Sequence, residues 1–90
     1  MYRIVRFSSF ERALDRLPKY IRESCDAQIA ILEENWRDSR LHLKKLREQG
    51  GIYAFRITRN YRGQFYFDIN DNIIVFDVDH RKDSYRKLRR

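Results

Sequence analysis

From Ile52 to Asp79 the chain carries three consecutive runs of β-prone residues, and their alternation is what most limits the fold. The runs are Ile52 to Thr58, Tyr61 to Ile69 and Ile73 to Asp79, broken by Arg59-Asn60 and by the turn formers Asn70-Asp71-Asn72. Strands this close in sequence pair with their neighbours, which gives an antiparallel meander. Successive side chains in a strand point to opposite faces. Tyr53, Phe55 and Ile57 therefore share a face, as do Tyr61, Phe65, Phe67 and Ile69, and in the last run Ile74, Phe76 and Val78 suit the same apolar side. The other side then receives Ala54, Arg56 and Thr58, then Arg62, Gln64, Tyr66 and Asp68, then Asp77, Asp79 and Arg81.

The residues before the meander read differently. Residues 2 to 7 alternate as a short strand, and Ser8 with Glu11 has the spacing of a capping box. Ala13, Leu14 and Leu17 give a helical stripe, so a short helix is expected from 9 to 17. Pro18 fits the first turn of a second helix, whose apolar face is Ile21, Cys25, Ile29, Leu32 and Trp36. Residues 37 to 51 lack periodicity and read as a basic connector, held by the leucines of His42-Leu43-Lys44-Lys45-Leu46. Asp83 or Ser84 can cap one charged helical turn through Tyr85 and Leu88. The order β-α-α-β-β-β is an α+β fold: an antiparallel sheet with an N-terminal helical hairpin packed on one face. The other face is open, and function can be grafted there.

Ninety residues suffice for one core, so 1–90 is read as a single domain. Apolar runs fall well short of the ~20 residues that span a membrane, and no leader is expected; a cytoplasmic protein with no membrane partner follows. The one cysteine, Cys25, lies in the helical stripe and reads as core. His42, His80 and Cys25 are scattered, so neither a metal nor another cofactor is expected. Twenty basic residues against thirteen acidic ones give a net charge of +7, which draws polyanions to so small a body. Arg81, Lys82, Arg86, Lys87, Arg89 and Arg90 concentrate that charge at the C-terminal end.

Strand parity brings Arg56, Arg62 and Arg81 to one face. Like charges held together repel, so an anion that neutralises them is a reasonable ligand, although Asp77 and Asp79 could supply that neutralisation from within. Arginine suits phosphate because its planar fork donates two parallel hydrogen bonds.

The helical hairpin, the basic "HLKKL", the meander "YAFRITRNYRGQFYF" and the closing "HRKDSY" together resemble the RelE/ParE family of toxins from toxin–antitoxin systems, along nearly the whole chain. The pairing of Arg56 and Arg62 with a terminal "HRK..Y" is closer to the RelE branch. That resemblance implies a metal-independent mRNA endoribonuclease acting in the ribosomal A site, so mRNA and the ribosome are implied partners, together with a cognate antitoxin. It assigns Arg56 and Arg62 to the scissile phosphate or its leaving side, Arg81 to the transition state and Tyr85 to the general base. His80 competes with Tyr85 as base, being the better one by residue type. Lys44, Lys45, Lys82, Arg86 and Lys87 would hold the RNA backbone. A lysine that RelE-like toxins carry after the first meander tyrosine is Ala54 here, so either Lys44 or Lys45 would reach across, or the set is reduced. Two other readings remain open: a ParE-like toxin directed at DNA gyrase, and a non-catalytic RNA-binding module in which Tyr66 offers a stacking surface.

Overall fold

The computed structural model describes residues 1–46 and 50–80. Arg81, Lys82, Asp83, Ser84, Tyr85, Arg86 and Lys87, to which the sequence assigns a helical turn and site roles, lie outside those residues, as do 47–49.

The elements run β1 (Ile4–Arg6), α1 (Ser8–Asp15), α2 (Lys19–Glu34), a 3-10 turn (Ser39–Leu41), β2 (Lys44–Leu46), β3 (Ile52–Arg56), β4 (Tyr61–Phe67) and β5 (Ile73–His80). The sheet has five strands in the order β1-β5-β4-β3-β2. This is the α+β arrangement expected, with two particulars that periodicity did not reveal. Part of the connector is strand β2, whose three residues pair antiparallel with β3 and are too short to show an alternation. And β1 pairs parallel to β5, Ile4 opposite Ile73, so the sheet is mixed. A parallel partner distant in sequence leaves no hairpin signature.

The core lies between the helices and one face of the sheet. Phe10 and Leu14 of α1 and Ile21, Cys25, Ile29 and Leu32 of α2 pack with Leu41, Phe55, Ile57, Phe65, Ile73 and Val75. Burying each of the phenylalanines contributes about 1.5–3 kcal/mol. Trp36 lies beyond the end of α2 and closes the core edge-on against Tyr53 and Phe67, with ring centroids at 5.5 and 5.0 Å. Cys25 is fully buried, and loss of solvent pushes its thiol up to about 12.

Several local expectations are corrected. The capping box does not form: Phe7 is the N-cap of α1 without a side-chain hydrogen bond, while Glu11 pairs with Arg6. Pro18 is the N-cap of α2 rather than a residue of its first turn. Ile69 falls in the turn after β4 and is 97% exposed instead of facing the core. In β5 Ile73 and Val75, rather than Ile74 and Phe76, pack under the helices, and Ile74 is buried on the other face of the sheet. The cause is a β-bulge: Phe65 pairs with Val75 but Gln64 with Asp77, so Phe76 has no partner and the parity of the strand reverses there. Val78 thereby joins the core side while Asp77 and Asp79 face away from the helices, as the alternation had them.

Candidate functional site

On the face away from the helices the registers align side chains into rows across the strands. One row is apolar from edge to edge: Val5 opposite Ile74, Ile74 opposite Tyr66, Tyr66 opposite Ile52, Ile52 opposite Leu46. The next row is Asp77, Gln64, Ala54 and Lys44, and the one beyond it is Asp79, Arg62 and Arg56. The face therefore grades from apolar to charged toward the β3–β4 turn.

Arg56 and Arg62 are directly opposite each other in the last row. Like charges in that position cost about 0.2–1 kcal/mol relative to a neutral pair. Arg56 is exposed, and its backbone is fixed by Gln28 of α2, whose amide Nε2 donates to the Arg56 carbonyl and to the Arg40 carbonyl, each at 2.9 Å. Arg62 is half-buried, and its Nε is a buried donor with no hydrogen-bond partner. A donor left so costs about 1–3 kcal/mol.

The two acids of this face do not neutralise the pair in the described structure. Among the described residues the ion pairs are Arg6 with Glu11, Arg6 with Asp26, and Arg40 with Asp38. Asp77 accepts the adjacent Val78 N–H at 2.9 Å, and Asp79, only 8% exposed, accepts the Gln64 amide Nε2 at 2.8 Å. Two guanidinium groups side by side, one with a buried unused N–H, can grip a phosphate through several charge-assisted hydrogen bonds.

The register separates the two connector lysines. Lys44 is exposed and opposite Ala54, one row from the arginine pair, whereas Lys45 is opposite Tyr53 and shares the helix side. Ala54 is 1% exposed, so the row narrows there and the longer Lys44 and Gln64 flank it. His80 ends β5 opposite Tyr61, its ring edge-on to that tyrosine at 4.9 Å, on the side opposite the arginine pair. His42 is exposed, in the left-handed conformation that ends the 3-10 turn. Among the described site residues, then, Arg56, Arg62 and Lys44 are brought to one face, and Lys45 and His80 are not.

Two contributors escaped sequence reasoning. Gly63 lies between Arg62 and Gln64 with the Phe55 ring against it; a Cβ there would come within 2.4 Å of two ring carbons. A glycine in mid-strand was the available signal of such a close approach. The Gln64–Asp79 hydrogen bond joins positions fifteen residues apart and had no signal at all.

Residues 6–85 match the family model described as the ParE toxin of the type II toxin–antitoxin system parDE. Among solved structures, the chain is similar to the RelB–RelE antitoxin–toxin complex of Methanococcus jannaschii, at 25% identity and TM-score 0.76, covering 93% of this chain and 98% of that one. It is similar to RelBE2 of Mycobacterium tuberculosis, also a toxin–antitoxin complex, at 25% identity and TM-score 0.69, covering 89% and 98%. The RelE–RelB complex of Pyrococcus horikoshii OT3 shares the fold at 24% identity and TM-score 0.73, covering 89% and 94%. No curated protein matches the sequence.

Proposed function

Since this chain belongs to the RelE/ParE superfamily of type II toxin–antitoxin toxins, we propose that it is a ribosome-dependent, metal-independent mRNA endoribonuclease that inhibits translation. The observation that carries this reading is the cross-strand pair Arg56 and Arg62, with the buried Nε of Arg62 unused. In the reaction the ribose 2′ oxygen attacks the adjacent phosphorus and the bond to the 5′ oxygen breaks. The products are a 2′,3′-cyclic phosphate and a 5′-hydroxyl. Arg56 and Arg62 hold the phosphate, and positive charge fixed in place stabilises the extra negative charge as it develops. The 2′ proton passes to Tyr85, the 5′ oxygen takes a proton from solvent, and Arg81 adds to the stabilisation; His80, which the register sets on the other face, has no part in the step. Lys44 continues the basic face along the RNA backbone, with Lys82, Arg86 and Lys87 as further contacts, whereas Lys45 is on the opposite face.

The partners in this reading are mRNA in the ribosomal A site and a cognate antitoxin, the kind of partner named for the Methanococcus and Mycobacterium complexes. The site of action is the cytoplasm; no helix of the described residues is long and apolar enough to cross a membrane.

A second reading has its own support, because the family model matched over 6–85 bears the name of ParE. Such a toxin would act on DNA gyrase by binding. Purified ribosomes carrying a defined mRNA, compared with a gyrase supercoiling assay, separate the two. Cleavage of the mRNA without effect on supercoiling supports the endoribonuclease; the reverse result supports the gyrase toxin.

A further inference from the structure

Arg56 is the last residue of β3, and the peptide that follows it is gripped from both sides. The N–H of that peptide, belonging to Ile57, donates to the Tyr61 carbonyl at 2.9 Å. A trans peptide sends its N–H and C=O in opposite directions, so the Arg56 carbonyl points away from β4, toward the side of β2. The register of β2 on β3, Lys44 opposite Ala54, would bring the His42 N–H to that carbonyl if the ladder ran on. It stops short: His42 has the left-handed φ of 46° that ends the 3-10 turn, and its N–H is turned to the Ser39 carbonyl at 3.2 Å. The donor that arrives instead is the half-buried Gln28 of α2, whose Nε2 donates to the carbonyls of Arg56 and Arg40, each at 2.9 Å. We propose that Gln28 is a positioning residue for Arg56: it replaces the missing rung of the β2–β3 ladder and so holds the end of β3 where the Arg56 guanidinium can share a phosphodiester with Arg62.

The inference rests on the phosphate-binding part of the proposed function and deepens it. With the 56–57 peptide turned this way, Arg56 and Arg62 form the non-hydrogen-bonded kind of cross-strand pair, whose Cα atoms stand about 4.5 Å apart rather than about 5.5 Å. That closeness suits a shared anion, but it also sharpens the repulsion between the two cations, which pushes the end of β3 outward. The buried Ile57 anchors the helix side, β4 holds one edge, and Gln28 holds the other. The far end of the bridge is fixed too, because the Asp38 carboxylate accepts the Arg40 backbone N–H at 2.9 Å in the 3-10 turn.

The test uses the full chain with a short single-stranded oligoribonucleotide as probe, its affinity measured at several salt concentrations. Gln28→Met keeps the length of the side chain and removes the donor without removing a charge. Affinity should fall about tenfold, the scale of one hydrogen bond to a charged group. The slope of log affinity against log salt should shrink by about 0.7, one phosphate contact on a single strand, as Arg56→Ala alone makes it. In the Arg56→Ala background, Gln28→Met should change neither quantity. A merely structural role would lower the affinity in both backgrounds and leave the slope as it was. That result, or unchanged affinity in Gln28→Met, overturns the proposal, as does a parent protein that does not bind the probe or binds it equally well without Arg56. Should Gln28→Met unfold, Gln28→Asn, whose amide is one methylene short of the two carbonyls, is read in the same cycle; unfolding of both makes Gln28 a structural residue and overturns the proposal as well. RNA binding as described but no cutting of ribosome-bound mRNA would count against the endoribonuclease and leave the role of Gln28 standing.

Discussion

Arg56 and Arg62 occupy the same cross-strand position on β3 and β4, two positive charges set face to face with no carboxylate between them among the described residues. Such a pair weakens the sheet slightly, and the proposed function gives it a use in holding phosphate.

Replacing Arg62 with leucine should therefore separate stability from function. Cleavage of ribosome-bound mRNA is expected to fall by about 10²-fold or more, the scale for removing a fixed donor to a developing oxyanion. Thermal stability should hold or rise by about 0.2–1 kcal/mol as the repulsion is relieved. Calorimetry alongside the cleavage assay checks both; a large fall in melting temperature would make Arg62 a structural residue.

Lys44 and Lys45 adjoin in sequence but belong to opposite faces. Lys44→Ala should weaken binding to RNA and reduce the slope of log affinity against log salt by about one. Lys45→Ala should change neither. Titrations at several salt concentrations distinguish them, and equal effects would contradict the assignment of faces.

Gly63→Ala should destabilise the fold by about 1–3 kcal/mol, because the new methyl group meets the buried Phe55 ring and the core has no room to yield. Urea denaturation measures this, and a neutral result would mean that the ring moves aside freely. Cleavage should fall as well, since Arg62 and Gln64 are carried on the same stretch of backbone.

Cys25 should be inert in the folded protein. Its thiol is pushed up to about 12 from 9.0 by burial, so it stays protonated where an unfolded chain ionises. Alkylation by iodoacetamide at pH 8 should be about 10²-fold slower than in denaturant. The sign for stability follows: the contribution is complete below pH 9 and is lost as pH rises toward 12. Rapid labelling of the native protein would contradict the buried placement.

The shared face of Arg56 and Arg62 was legible from alternation alone, because the two flank a tight turn in strands whose apolar faces are unambiguous. What alternation could not give was the interruption of its own rule. The bulge at Phe76 reverses parity in β5, so Ile73 and Val75 enter the core while Asp77 and Asp79 still face away. The three residues of β2 were illegible because so short a strand has no period, and its strand character comes from pairing with β3. The parallel pairing of β1 with β5 joins the two ends of the described fold, a contact that no local pattern encodes.

The central claim is that the paired arginines serve RNA cleavage on the ribosome, and its most direct measurement is the end chemistry of a defined mRNA incubated with purified ribosomes and this protein. The account predicts cuts with 2′,3′-cyclic phosphate and 5′-hydroxyl ends that disappear with Arg62→Leu. Intact mRNA in the presence of the folded parent protein, together with inhibition of gyrase supercoiling, would contradict it.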